Sequence, residues 1–335
     1  MKKQIFLMTL LVSAGSIAGS AETINGAGAT FPEPIYQKWF QEFHKAHPDI
    51  QINYQAIGSG GGIRQLTEGT VDFGATDMPM TDDQLSKVTK YKVLHFPTVL
   101  GGIVPTYNVP GVALNFSGPT LAGIYLGSIK KWNDPAIKKD NPSANLPNED
   151  ITVVHRSDGS GTSFVFSDYL ARVSPEWKSK VGVNASVNWP VGLGGKGNEG
   201  VAGLVKQTPF SIGYVELIYA VQNKMEYGGL KNAAGTVVKA DFNSISEAAA
   251  AAAKDMPADF RVSINNAPGK NAYPLASFTW LLIPDKISDA TKKKSITDFL
   301  QWMLTTGQAD AQGLSYAPLP KEVVAKEQKQ LALIK

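Results

Sequence analysis

Apolar residues along this chain fall into short periodic blocks separated by glycine-rich junctions. Ile35, Trp39 and Phe43 share one helical face and Pro48 stops the run, which predicts a helix. Ile50, Ile52, Tyr54 and Ala56 then alternate with polar residues, the period of a strand. Gly58 to Gly62 read as a turn into a helix over Ile63 to Glu68, and a short strand is expected at Phe73. Val153 and Val154 lead into a helix from Thr162, and WPVGLGGKGNEG precedes another amphipathic helix. Ser244 to Lys254, with six consecutive alanines, predicts an exposed helix carried by intrinsic propensity. Ile296, Phe299, Leu300, Met303 and Leu304 make an apolar helical stripe, with Gly307 as its cap. Strands alternating with helices are the grammar of βαβ units and of a mainly parallel sheet. No internal repeat or low-complexity linker interrupts the pattern.

The opening MKKQIFLMTLLVSAGSIAGSA differs from all of this. Lys2 and Lys3, the apolar run Ile5 to Val12 and small residues up to Ala21 have the layout of a secretory signal, so residues 1–21 are expected to be removed on export. The stretches Val99 to Tyr107 and Phe278 to Ile283 are far shorter than the roughly 18 apolar residues of a membrane span. A chain of 335 residues, 43% of them hydrophobic, suffices for two cores. It has no cysteine, so neither disulfides nor a thiolate metal site nor a lipid-anchored amino terminus is expected. The expectation is a freely diffusing periplasmic protein. Removing Lys2 and Lys3 leaves 30 basic against 29 acidic side chains, far from the basic excess of a nucleic-acid binder.

Ligands of α/β sheets bind where loops run into helix amino termini. In SDGSGTS, Ser157 to Ser163, free N–H groups and the helix dipole favour an anion, and Arg156 just before them offers a planar fork to two oxygens. Asp158 is placed to hold that guanidinium. An ordinary N-cap, with Asp158 or Ser160 capping and Arg156 on the surface, fits the same residues. Gly26 to Phe31 and Ile57 to Gly62 have the same character, with Thr30 and Ser59 as hydroxyls, although each also fits a plain turn. Asp77, after the Phe73 strand, is an acid among anion-seeking loops. It fits an oxyanion that keeps a proton, as phosphate does at neutral pH and sulfate does not. It also fits a solvated cap before Met78 and Pro79.

Enzyme chemistry finds little support. Asp158 and Thr162 stand where a G-x-S-x-G nucleophile elbow needs glycines, and Phe31 stands where a dinucleotide fingerprint needs one. GLGGKG has Pro190 and Gly197 at positions a P-loop reserves for glycine and Ser/Thr. His44 and His47 read as a wet helix face rather than metal ligands. The nearer rival is a sulfate, molybdate or tungstate receptor, against which Asp77 argues.

GAGATFP, YQAIGSGGG, DFGATD, FPTVLGGIVPTYN, YLGSIKKWNDPAI, RSDGSGTSFVF, WPVGLGGKGNEG and SIGYVE resemble, in order and spacing, the periplasmic phosphate-binding subunit of Pst-type ABC importers. The resemblance implies a type II periplasmic binding fold, two α/β lobes joined by two crossing segments with the ligand in the cleft. By motif it implies N–H donors at Thr30 and Phe31, with the Thr30 hydroxyl, and hydroxyl and N–H donors at Ser59. Asp77 would accept the phosphate proton and Arg156, paired with Asp158, would donate its fork, while Ser160, Gly161 and Thr162 complete the cradle. Gly60 departs from the pattern, since a relative can carry a second serine there; only an indirect contact is put in doubt. The resemblance further implies lobes of residues 22–108 with 275–335 and of residues 109–274. It implies no cofactor, a monomer, inorganic phosphate as ligand and membrane-embedded permease subunits as partners.

Overall fold

The computed structural model describes residues 21–335, so the export segment expected at residues 1–21 lies outside it but for Ala21. A nine-stranded sheet is built from β1 (Glu22–Gly28), β2 (Ile50–Ala56), β3 (Phe73–Thr76), β4 (Val93–Tyr107), β5 (Thr152–Arg156), β6 (Leu193–Gly195), β7 (Ser211–Glu216), β8 (Glu226–Tyr227) and β9 (Ala276–Pro284). Its order is β2-β1-β3-β9-β4-β7-β5-β6, with β8 also paired to β4. The helices that frame it are α1 (Glu33–Ala46), α2 (Ser59–Glu68), α3 (Gly161–Val173), α4 (Gly197–Gln207), α5 (Phe242–Lys254), α6 (Ala290–Thr305) and α7 (Lys321–Gln330).

The outer ladders are parallel, as the βαβ pattern predicts: β1 pairs with β2 and β3, and β5 with β6 and β7. The centre is not, because β9 and β4 run antiparallel to every strand beside them. β9 returns from the far end of the chain, so no short crossover dictates its direction. Strand β4 is 15 residues long and changes partner along its length. Val93 to Gly102 pair with β9, and Ile103 to Tyr107 pair with β7, so one strand runs from the first α/β lobe into the second.

Packing explains where the elements depart from the periodic pattern. β1 alternates in burial from Thr23 to Gly26, but no apolar side chain marks its last inward position because Gly26 must be bare: a side chain there would run into the Phe73 ring. Helix α2 begins at Ser59, so the glycines expected in a preceding turn form its first turn instead. That turn lies against β1, and a Cβ on Gly62 would stand 2.6 Å from the Gly28 Cα. The alanine helix α5 is not an exposed helix. Ile245, Ala248, Ala249 and Ala253 are buried, since small side chains let it settle close on the central strands, with Ile245 reaching the space beside Gly102. Gly307 does not cap α6 either; Thr306, at φ −79°, closes the helix. Gly307 is needed for space, because a Cβ would lie 3.0 Å from Trp302 and 3.1 Å from Trp39. Trp39, Phe43, Phe299 and Leu300 are all nearly or fully buried, and each such side chain contributes roughly 1.5–3 kcal/mol through area removed from water. No helix among the described residues is long and apolar enough to cross a membrane.

Glu327 of α7 is fully buried and neither carboxyl oxygen has a partner. Burial therefore holds its carboxyl well above the ordinary 4.5. A carboxyl raised on folding contributes stability at low pH that is lost as pH climbs from its unfolded value towards its folded one. Glu327→Leu is expected to raise the melting temperature, by more at pH 8 than at pH 4, for a gain on the order of 1–3 kcal/mol from removing an unsatisfied polar group. Equal shifts at both pH values would contradict this reading.

Candidate functional site

The polar residues of the glycine-rich loops meet beside β9, near the point where β4 changes partner. Thr30 follows β1, Ser59 opens α2 and Asp77 follows β3, all on one side. From the other side come Arg156 at the end of β5, Ser160 to Thr162 at the start of α3, and the amino terminus of α4. None is exposed: relative accessibility is 2% for Thr30 and Asp77, 3% for Arg156 and zero for Ser59, Ser160 and Thr162.

Arg156 is not on the surface. Its Nε donates to Asp158 Oδ1 at 2.8 Å and its Nη2 to Oδ2 at 2.6 Å, while Nη1 donates to Thr162 Oγ1 at 3.3 Å. The pair with Asp158 uses one edge of the guanidinium, leaving the Nη1–Nη2 edge for a second bidentate acceptor. Burial would raise the Asp158 carboxyl, but the Arg156 hydrogen bonds and charge outweigh it, so it stays ionised below its ordinary value. Asp158 also accepts from the Gly197 N–H at 3.1 Å, which draws α4 to the site.

Ser160 does cap α3, accepting from the Ser163 N–H at 3.0 Å. The capping and anion readings of this loop are therefore compatible. Gly161 and Thr162 follow at the first two helical positions, whose N–H groups have no intrahelical acceptor. Ser59 holds the same first position in α2, and its Oγ accepts from the Asp77 N–H at 3.2 Å. The Thr30 and Phe31 N–H groups, just before α1, meet no backbone acceptor among the described residues. Phe31 itself is buried, its carbonyl accepting from Tyr316 at 2.6 Å.

Asp77 receives the Thr279 hydroxyl on Oδ1 at 2.9 Å and faces Thr162 Oγ1 at 3.5 Å. Burial pushes its carboxyl up to about 7, against the opposing pull of Thr279, Arg156 and Thr162. A carboxyl poised there can share a proton with a ligand instead of only repelling it.

The lobes touch backbone to backbone at Gly60 and Gly159, whose N–H···O bond is 2.9 Å. Gly161 sits in the same seam, where a Cβ would collide with Ser59 Oγ and stand 2.7 Å from the Asp77 Cβ. Gly161→Ala is therefore expected to hold the lobes apart and weaken ligand binding at least tenfold, leaving the melting temperature of the unliganded chain within a few degrees. Unchanged affinity, measured by calorimetry, would show that this seam does not matter.

The structure thus gathers Thr30, Phe31, Ser59, Asp77, Arg156, Asp158, Ser160, Gly161 and Thr162 in one place, with Gly60 in the seam. Sequence reasoning missed Asn198 and Thr279. Asn198, the second residue of α4, donates from Nδ2 to Thr30 Oγ1 at 2.9 Å and to Thr162 Oγ1 at 3.3 Å. The glycine-rich loop before it was a signal that such a residue would be presented. Thr279 is, with Ser277, one of two polar residues inside the mostly apolar strand β9, which was its only mark.

N–H groups, hydroxyls, a free guanidinium edge and a single carboxyl can hold a small, partly protonated oxyanion. They do not form a nucleophile and base. His155 Nδ1 lies 3.1 Å from the Arg156 carbonyl and its ring stacks on Trp189. No cluster able to hold a metal ion occurs among the described residues.

Comparison with known proteins agrees in fold and in sequence. The family model of the PBP superfamily domain matches residues 14–306. The chain is 44% identical to the phosphate-binding protein PstS of Pasteurella multocida, over 98% of this chain and 96% of that one. It is 40% identical to the protein of the same name from Methanocaldococcus jannaschii, over 90% of this chain and 83% of that one. Among solved structures, the phosphate-binding protein from Stenotrophomonas maltophilia has a TM-score of 0.75 at 18% identity, covering 93% of this chain and 94% of that one. A high affinity periplasmic phosphate-binding protein bound with phosphate has a TM-score of 0.73 at 20% identity, covering 92% and 93%. The motifs, the two-lobed sheet and these identities agree: the chain belongs to the PBP superfamily and, within it, to the PstS family of phosphate-binding proteins.

Proposed function

We propose that this chain captures one inorganic phosphate between its lobes in the periplasm and delivers it to the membrane-embedded permease subunits of an ABC importer. It acts as a monomeric binding protein rather than an enzyme, after export and removal of residues 1–21. The observation that carries the reading is the convergence of the amino termini of α1, α2, α3 and α4 on the buried Arg156 and Asp77.

In this reading the phosphate accepts N–H bonds at Thr30, Phe31, Ser59, Gly161 and Thr162. The free edge of Arg156 and the hydroxyls of Thr30, Ser59, Ser160 and Thr162 complete its shell, and its proton is shared with Asp77. Charge-assisted bonds contribute roughly 1.5–3 kcal/mol each, and micromolar affinity needs only about 8 kcal/mol net, so such a shell exceeds the entropic cost of association. The lobes are taken as residues 22–108 with 275–335, and residues 109–274, the first crossing being the end of β4, Ile103 to Tyr107, which already pairs with β7. Closure is a hinge motion in the adjacent central strands, and the permease reads the closed form. Partly protonated phosphate satisfies the Asp77 carboxyl, whereas sulfate would leave it facing lone pairs.

A calorimetric titration tests the function. One phosphate per chain should bind at micromolar affinity or tighter, and equimolar sulfate should neither bind nor compete. Absence of phosphate binding would end the proposal.

A further inference from the structure

Asn198 is fully buried and every polar atom it carries is engaged. Its Oδ1 accepts from the Glu216 backbone N–H at 2.9 Å. That N–H can only donate, so the amide orientation is fixed and Nδ2 must face the hydroxyls. The two Nδ2 hydrogens go to Thr30 Oγ1 at 2.9 Å and Thr162 Oγ1 at 3.3 Å, and the backbone N–H goes to Thr30 Oγ1 at 3.2 Å. Asn198 has nothing left with which to bind a ligand.

The consequence falls on the two threonines. A hydroxyl has two lone pairs and one hydrogen. Both lone pairs of Thr30 Oγ1 are filled by Asn198, from its N–H and its Nδ2. Those of Thr162 Oγ1 are filled by Asn198 Nδ2 and by Arg156 Nη1 at 3.3 Å. Each hydroxyl can therefore only donate. Thr162 now donates along a 3.5 Å contact to Asp77 Oδ2, long enough for an anion oxygen to take over.

We infer that Asn198 is a positioning residue that fixes the Thr30 and Thr162 hydroxyls as donors towards the anion, and does so only when the lobes are closed. Thr30 follows β1, whereas Asn198 and Thr162 open helices beside β5 to β7, so the bridge spans the seam. Glu216, its backbone anchor, pairs with Ile103 of β4, the first residue past the change of partner. One amide thus links the hinge strands, both lobes and the polarity of the site. Opening the lobes breaks the Thr30 bonds and frees that hydroxyl to rotate. This inference rests on the phosphate reading above.

The test is phosphate binding by stopped flow and calorimetry on Asn198→Ala, Asn198→Asp, Thr30→Val and the double variant Asn198→Ala/Thr30→Val. Asn198→Ala is expected to weaken phosphate binding roughly 10–100-fold, mainly through a faster off-rate, since polarity and closure matter after encounter. Asn198→Asp keeps the acceptor for the Glu216 N–H but turns donors into acceptors. The hydroxyls then donate to the new carboxylate, so its loss should exceed that of the alanine variant while its melting temperature stays closer to wild type. The double variant should bind at least fivefold tighter than the product of the single losses predicts, because both changes break the same link. Wild-type affinity in Asn198→Ala, additive losses in the double variant, or an aspartate variant that binds as well as the alanine one would overturn the assignment. Failure of the wild-type chain to bind phosphate in the same assay would instead count against the function.

Discussion

Replacing Arg156 with alanine is expected to weaken phosphate binding by roughly 10²–10⁴-fold, because two charge-assisted bonds contribute about 1.5–3 kcal/mol each. The loss does not stop at the ligand. Arg156 neutralises Asp158 through the 2.8 and 2.6 Å bonds and lowers the cost of ionising the buried Asp77. Removing one partner of a buried pair leaves the other charge uncompensated, at a cost of about 3–5 kcal/mol. The variant should therefore also melt earlier. Arg156→Lys should recover stability better than affinity, since an ammonium can pair with Asp158 but cannot present a second planar edge. Calorimetry and thermal melts on the two variants separate these effects. Wild-type affinity in Arg156→Ala would remove Arg156 from the site.

The second large effect is on selectivity. Asp77→Asn is expected to let sulfate compete with phosphate, reducing a discrimination of up to about 10⁴–10⁵ by at least a hundredfold. The substituting amide offers a hydrogen where the carboxylate offers only lone pairs. The same change should be visible as pH dependence in the wild type. With its carboxyl raised to about 7, Asp77 is mostly ionised at pH 8 and protonated at pH 5, so sulfate competition should grow as pH falls. The asparagine variant should lose that dependence. Stability changes with the opposite preference. The Asp77 carboxyl moves from 3.8 to about 7 on folding, so it costs the unliganded protein stability as pH rises through that window. Asp77→Asn should therefore stabilise the unliganded chain at pH 8 by on the order of 3 kcal/mol, with little change at pH 4. Continued exclusion of sulfate by the variant would show that the carboxyl does not read the ligand's proton.

Much of this arrangement was legible in the residue pattern, for identifiable reasons. The stripes Ile35, Trp39, Phe43 and Ile296, Phe299, Leu300 report burial directly, because one face of each helix meets the core. Loops such as SDGSGTS announce a helix start and a close backbone approach, and the structure uses both. What stayed hidden depends on distant partners. The apolar marks of β1 stop at Ile24 and Ala27 because its glycines answer to Phe73 and to the Ala75 backbone, residues far along the chain. The antiparallel centre follows from a strand that returns only at Ala276. The burial of α5 was misread because alanine serves equally for propensity and for close packing. Asn198 lies within WPVGLGGKGNEG but that motif does not single it out, and Thr279 lies in none; their importance comes from which hydroxyls and carboxyl oxygens stand opposite them.

The central claim is that helix openings from both lobes close around one phosphate. A diffraction structure of the phosphate-loaded protein tests it most directly. The account predicts a single tetrahedral anion within hydrogen-bonding distance of the Arg156 Nη edge, the Gly161 and Thr162 N–H groups, Ser59 and Thr30, with one oxygen against Asp77. Phosphate bound elsewhere, or contacted by one lobe only with the lobes closed, would contradict it.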